Sequence, residues 1–222
     1  MKSTSLQCST ILLLTAFLFT GCASTINLKG SWSEDALQSK LEEGNNLILV
    51  KVNDRNARYV LEEQFKVRLA EKGIQSETAS IKFPPLDPNK KTTEDQVSET
   101  AQMFKSENID LVVLTTLKEI DQTVHTQTSG GYYAGGGYYA PPYRRFSRYY
   151  YSYYDPGVYV PLSSTTSVSK NYHLETVVFD LNGNENEQLL SVTSVEVKDP
   201  GNIEKVAAKY AQSVVDRILG SE

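Results

Sequence analysis

Residues 47–52 read LILVKV, and residues 57–73 shortly after them read ARYVLEEQFKVRLAEKG. The first is a short, almost unbroken apolar run, the mark of a strand covered on both faces. In the second, Ala57, Leu61, Phe65 and Leu69 recur every four residues along one helical face. Asp54 is placed to cap its start and Gly73 to close it. A buried strand that leads directly into an amphipathic helix opens an α/β domain.

Downstream the pattern continues. Ile74 to Ile81 is expected to be a second strand, and Phe83-Pro84-Pro85-Leu86-Asp87-Pro88 a stiff loop that excludes helix. Thr93 and Gln96 fit a capping box. The helix they open puts Val97, Ala101 and Phe104 on one face and ends near Asn108. IDLVVLTTL, residues 109–117, is the clearest strand in the chain. Residues 167–181 and 189–197 are β-rich and joined across Asn182-Gly183-Asn184, a hairpin signal, with Asp180 expected to bond the turn near Gly183. A last helix starts at Asn202, with Ile203, Val206, Ala207, Tyr210, Val214 and Ile218 as its apolar stripe. The predicted order is β-α-β-α-β, an insert, then β-β-α. That is an α/β class chain with a mixed sheet of about five strands and three helices, one domain over residues 46–220.

The other end of the chain reads as an address. Lys2 precedes ILLLTAFLF, residues 11–19, which runs into Thr20-Gly21-Cys22. The run is too short to span a bilayer and has the length of a signal-peptide core. Leu18-Phe19-Thr20-Gly21-Cys22 resembles the bacterial lipobox, with Phe19 where leucine is usual. The resemblance implies a signal peptide over residues 1–21, a palmitate-type lipid on Cys22, and a polar tether over residues 22–45 that holds Trp32. Several acyl chains on one cysteine meet the two-signal requirement for stable anchoring. Ala23 after the cysteine resembles the signal that sends lipoproteins to the outer membrane, with the domain in the periplasm. Cys8 leaves with the signal, so no thiol remains to form a disulfide.

Composition narrows the function classes. A net charge of −5 argues against a nucleic-acid binder. Two cysteines and two histidines leave few ligands for a metal, and no cofactor or metal site is expected. The 14 tyrosines, against 7 Phe and 1 Trp, are the unusual count. Most of them fall in a low-complexity insert over residues 130–161, GGYYAGGGYYAPPYRRFSRYYYSYYDPGVYVP. Its glycines and Pro141-Pro142 oppose a regular helix, a long strand or a membrane-crossing hairpin. Tyrosine brings a wide stacking face and a hydroxyl with few rotors to freeze, and arginine adds cation–π and anion pairing. The candidate contact residues are Tyr132, Tyr133, Tyr138, Tyr139, Tyr143, Arg144, Arg145, Arg148, Tyr149, Tyr150, Tyr151, Tyr153 and Tyr154. Such a segment is either a solvated loop or a surface that docks on a protein, a glycan or lipid headgroups.

Catalytic patterns are thin. Ser167-Val168-Ser169-Lys170 matches a bare Ser-x-x-Lys with no Lys-Thr-Gly partner. The glycine runs lead into no Gly-Lys-Ser/Thr and no helix. His125 and His173 flank the insert and are placed to face each other across paired strands, but two imidazoles lack a third ligand. Glu62-Glu63, Glu185 and Glu187 read as solvated charge. No catalytic residue is singled out, and the chain is expected not to be an enzyme.

The order of LILVKV, YVLEEQFKVRLAEKG, IDLVVLTTL, YHLETVVFDLNG and LLSVTSVEV behind a lipobox resembles a group of envelope lipoproteins. They share the anticodon-binding-like α/β fold and include the amino-terminal domain of TolB, CsgG, PelC and the activators of penicillin-binding proteins. The chain is also similar to lipoprotein families with a Tyr/Gly-rich insert. The resemblance covers residues 46–219. It implies a non-enzymatic scaffold or adaptor in envelope assembly, maintenance or secretion, with an envelope protein or glycan as partner. The alternative it implies is a subunit of a ring-forming secretion or export assembly.

Overall fold

The computed structural model describes residues 25–83, 94–126, 131–134, 137–139, 153–155, 158–161, 166–184 and 187–220. In chain order the described elements are β1 (Thr25–Ser33), α1 (Leu37–Glu43), β2 (Asn46–Lys51), α2 (Arg55–Glu71), β3 (Ser76–Thr78) and α3 (Ala79–Lys82). Then come α4 (Glu94–Ser106), β4 (Leu111–Thr126), β5 (Gly131–Ala134), β6 (Gly137–Tyr139), β7 (Tyr153–Asp155) and β8 (Val158–Pro161). The chain closes with β9 (Thr166–Asp180), β10 (Leu189–Lys198) and α5 (Ile203–Ile218). Six strands form one sheet in the order β1-β10-β9-β4-β2-β3. β2 runs parallel to β3 and β4, while β4, β9, β10 and β1 pair antiparallel. The α/β class and the mixed sheet are as expected, with six sheet strands and five described helices in place of five and three.

LILV is apolar throughout because β2 is covered on both sides. On one face Ile48, Val50, Leu111, Val113, Val178, Val195 and Val197 pack under α2, α5 and α1, against Leu61, Phe65, Leu69, Tyr210 and Val214. On the other, Leu47, Leu49, Val112, Leu114, Val177 and Phe179 pack against Phe104, Phe83 and Ala79. Asp54 Oδ1 accepts from the Ala57 N–H at 2.8 Å, as the capping rule requires. Gly73, at φ +82°, lets the Ile74 N–H reach back to the Leu69 carbonyl at 2.9 Å and closes α2. Asp180 bonds the Asn182 and Gly183 N–H groups at 2.8 and 3.2 Å, the predicted turn, and also pairs with Lys40.

Several expectations change. The polar tether over 22–45 is corrected: from Thr25 onward it holds β1, paired along β10, and α1, whose Leu37 and Leu41 are buried in the core. An edge strand broken by Gly30 and a helix with two apolar residues bury too little surface to show as a hydrophobic run. Trp32 lies on β1 and is about half exposed. Residues 74–81 hold only the three-residue β3 before the chain turns into α3. Thr93 lies outside the described residues. Glu62 is not solvated but fully buried. Its carboxylate accepts from the Val50 N–H at 3.2 Å and the Ser80 N–H at 2.9 Å, tying α2 to β2 and α3. Burial pushes its carboxyl up, and those hydrogen bonds oppose the shift.

Candidate functional site

The helix-covered part of the second sheet face ends where β2 ends, and a polar strip takes over. Lys51 closes β2 beside Thr116 of β4; Thr116 stands opposite Glu175 of β9, and Glu175 opposite Ser194 of β10. The carboxyl ends of parallel strands are where open α/β sheets place ligands. Lys118 Nζ meets Glu175 Oε1 at 2.8 Å with both side chains nearly buried. Burial lowers the Lys118 ammonium and the Glu175 carboxylate opposes that. Burial, then the like charge of Lys118, brings Lys51 down to about 8.

The unfolded chain keeps the Lys51 proton up to its ordinary 10.5, whereas the folded chain releases it near 8. Below pH 8 the burial of the charge weighs in full against folding, and the penalty fades as pH rises from about 8 to 10.5. Lys51→Met removes it. The melting temperature of Lys51→Met relative to the parent should therefore be highest and level from pH 7 to about 8, then fall toward pH 10. A difference that stays constant from pH 7 to 10 contradicts the assignment.

Farther along the strip, Glu196 on β10 is held down to about 2 by hydrogen bonds from Lys29 and Asn27, with Lys198 adding its charge. Lys29 Nζ lies 2.9 Å from it and Asn27 Nδ2 3.2 Å. His173 stands between Glu196 on β10 and Glu119 on β4. His173 Nε2 lies 2.8 Å from Asp121 Oδ2. His125 is opposite Ser167, so the two histidines do not face each other as expected. Lys170 of the Ser-x-x-Lys pattern is exposed. Its N–H and the Ser169 hydroxyl both bond Asp199, which lowers the Asp199 carboxyl.

Beyond this strip β4 and β9 outrun their neighbours. β2 leaves β4 at Thr116 and β10 leaves β9 at Asn171, and the described pairs from Gln122–Lys170 to Thr126–Thr166 belong to β4 and β9 alone. The pairing resumes as β5 with β8 and again as β6 with β7. Equal numbers of residues separate the blocks on the two sides. From Glu119–His173 through Gly131–Pro161 to Gly137–Asp155, the two residue numbers of every pair have the same sum. The described pairs of β5 with β8 and of β6 with β7 therefore keep the numbering register of β4 with β9, each as a separate two-stranded sheet, and β7 lies against β4.

That register brings tyrosines together. Tyr133 pairs with Tyr159, Tyr138 with Tyr154, and Tyr139 with Tyr153. Tyr132 pairs with Val160. Of the contact residues predicted from sequence, these fall on described strands. Tyr143, Arg144, Arg145, Arg148, Tyr149, Tyr150 and Tyr151 lie outside the described residues, as does Cys22. The signal for the ribbon was present in the mirrored doublets Tyr138-Tyr139 and Tyr153-Tyr154, which a hairpin centred between them brings into register. The residues missed entirely are Lys51, Lys118, Glu119, Asp121 and Glu175, which look like ordinary surface charge until the strands are aligned.

No family model matches the chain, and no curated protein does. Among solved structures it is similar to a PelC dodecamer from Paraburkholderia phytofirmans, with a TM-score of 0.42 and 9% identity over 88% of this chain and 97% of that one. It is similar to the lipoprotein GNA1162 from Neisseria meningitidis, with a TM-score of 0.37 and 11% identity over 80% and 99% of the two chains. A DUF4136 family protein from Bacteroides thetaiotaomicron has a TM-score of 0.35 and 11% identity over 89% and 94%. With TM-scores below 0.5 these are likenesses in outline, and neither family nor function is taken from them. Among the described residues, no helix is long and apolar enough to cross a membrane.

Proposed function

We propose that this chain is a non-enzymatic envelope lipoprotein, anchored to the outer membrane through lipid on Cys22, that works as a scaffold or adaptor from the periplasmic side. Its contact surface is the tyrosine-bearing end of the β4–β9 ribbon, and its partner is an envelope protein or glycan. The observation that carries this reading is the shared register that aligns three Tyr–Tyr pairs in the two small ladders between β4 and β9. Pairing of β5 with β8 and of β6 with β7 sets these tyrosines at fixed backbone positions opposite one another. A surface ordered before it binds loses less entropy on binding, and tyrosine has few rotors left to lose.

The test is a photo-crosslinking residue placed in cells at Tyr138 on β6 and, for comparison, at the exposed Tyr59 on α2. Adducts to an envelope component from position 138 and none from position 59 are expected. Adducts from position 59 alone would move the contact surface to the helices. Adducts between copies of this chain would favour the ring-forming alternative.

A further inference from the structure

We propose that Glu119, Asp121 and His173 form a binding site for a divalent transition-metal ion at the root of the ribbon. The three side chains come from two strands and converge because of one irregularity. Between Leu117 and Glu119 the β4 register shifts against β9, with Lys118 as the extra residue. Before the bulge the β4 residues on the face of Glu175 have even numbers, Val112, Leu114 and Thr116. After it the odd positions take that face, and Glu119 lands directly opposite His173 with Asp121 two residues on. Without the bulge both carboxylates would sit on the opposite side of the sheet from the imidazole. Re-aiming a side chain is a recurrent use of such bulges.

One ligand atom from each of the three residues lies within 4.8 Å of the others. That spacing lets a single ion reach all three after small rotamer changes. The neighbouring carboxylates have lysine partners: Lys118 binds Glu175, and Lys29 and Lys198 bind Glu196. Two carboxylates and a neutral imidazole present two negative charges, which a divalent ion balances. One nitrogen and two oxygen donors suit zinc and similar ions, and three protein ligands leave a position open for water or a partner's group. Calcium, which takes six to eight oxygens, is poorly served by this set. In the metal-free chain Asp121 accepts the hydrogen bond that His173 makes through Nε2. On binding, the ion takes that place and the ring proton resides on Nδ1.

The test uses the full-length, untagged chain in detergent, stripped with chelator and titrated calorimetrically with Zn²⁺. One ion per chain is expected. His173→Ala, Asp121→Asn and Glu119→Gln should each weaken it at least tenfold, with circular dichroism and melting temperature unchanged. His125→Ala should bind as the parent does. Co²⁺ should give a visible absorption band with the parent that His173→Ala lacks. The site is overturned if the parent takes up no stoichiometric Zn²⁺, if His173→Ala binds as tightly as the parent, or if Ca²⁺ displaces Zn²⁺ at equal concentration.

Discussion

Tyr210→Ala is expected to lower the stability of the domain by about 3–5 kcal/mol, the range for removing a large buried aromatic side chain. Tyr210 is fully buried on α5, between the helix pair and the sheet. Its ring meets that of Phe65 edge to face, with centroids 5.8 Å apart. Its hydroxyl lies 2.9 Å from Thr176 Oγ1, which in turn lies 2.8 Å from Thr115 Oγ1. One residue thus links α5, α2 and the two central antiparallel strands. A domain of this size loses roughly 2–4 °C per kcal/mol, so the melting temperature should fall by about 10 °C. Tyr210→Phe keeps the ring and leaves Thr115 and Thr176 bonded to each other, and should cost only about 1 kcal/mol. Equal losses in the two variants would show that the ring packing contributes little and would contradict the account of the core.

Cys22→Ala should produce the largest change in the behaviour of the whole protein. If Cys22 carries the lipid, the variant loses all palmitate labelling and leaves the membrane fraction. A single acyl chain gives marginal binding and several give stable anchoring, so the effect is all or none rather than graded. The measurement is metabolic labelling together with membrane fractionation. Labelling and fractionation that match the parent would remove the anchor from the proposed function.

How much was legible follows from what each element buries. β2, the apolar start of β4, the β9–β10 hairpin and α5 show in the sequence because each buries a whole face or stripe, and hydrophobic period reports burial directly. β1 and α1 do not show. β1 pairs on one edge only, along β10, and α1 contributes just Leu37 and Leu41. Glu62 reads as surface because its burial depends on the Ser80 N–H, eighteen positions downstream, which no local pattern reveals. The strip of Lys51, Lys118 and Glu175 is created by strand alignment, which composition does not encode. The same holds for His173, whose neighbours Glu119 and Glu196 come from two other strands. The tyrosine insert was visible as composition. Its pairing was visible only as a mirrored spacing, and the glycines and Pro141-Pro142 argued for irregular chain instead.

The central claim is that the ribbon end is what this protein presents to its partner. It is tested most directly by deleting residues 130–161, confirming that the shortened chain still melts cooperatively and still fractionates with membranes, and comparing its in-cell crosslinked partners with those of the parent. The account predicts loss of the principal crosslinked species. An unchanged set of partners would contradict it and leave the ribbon a spacer.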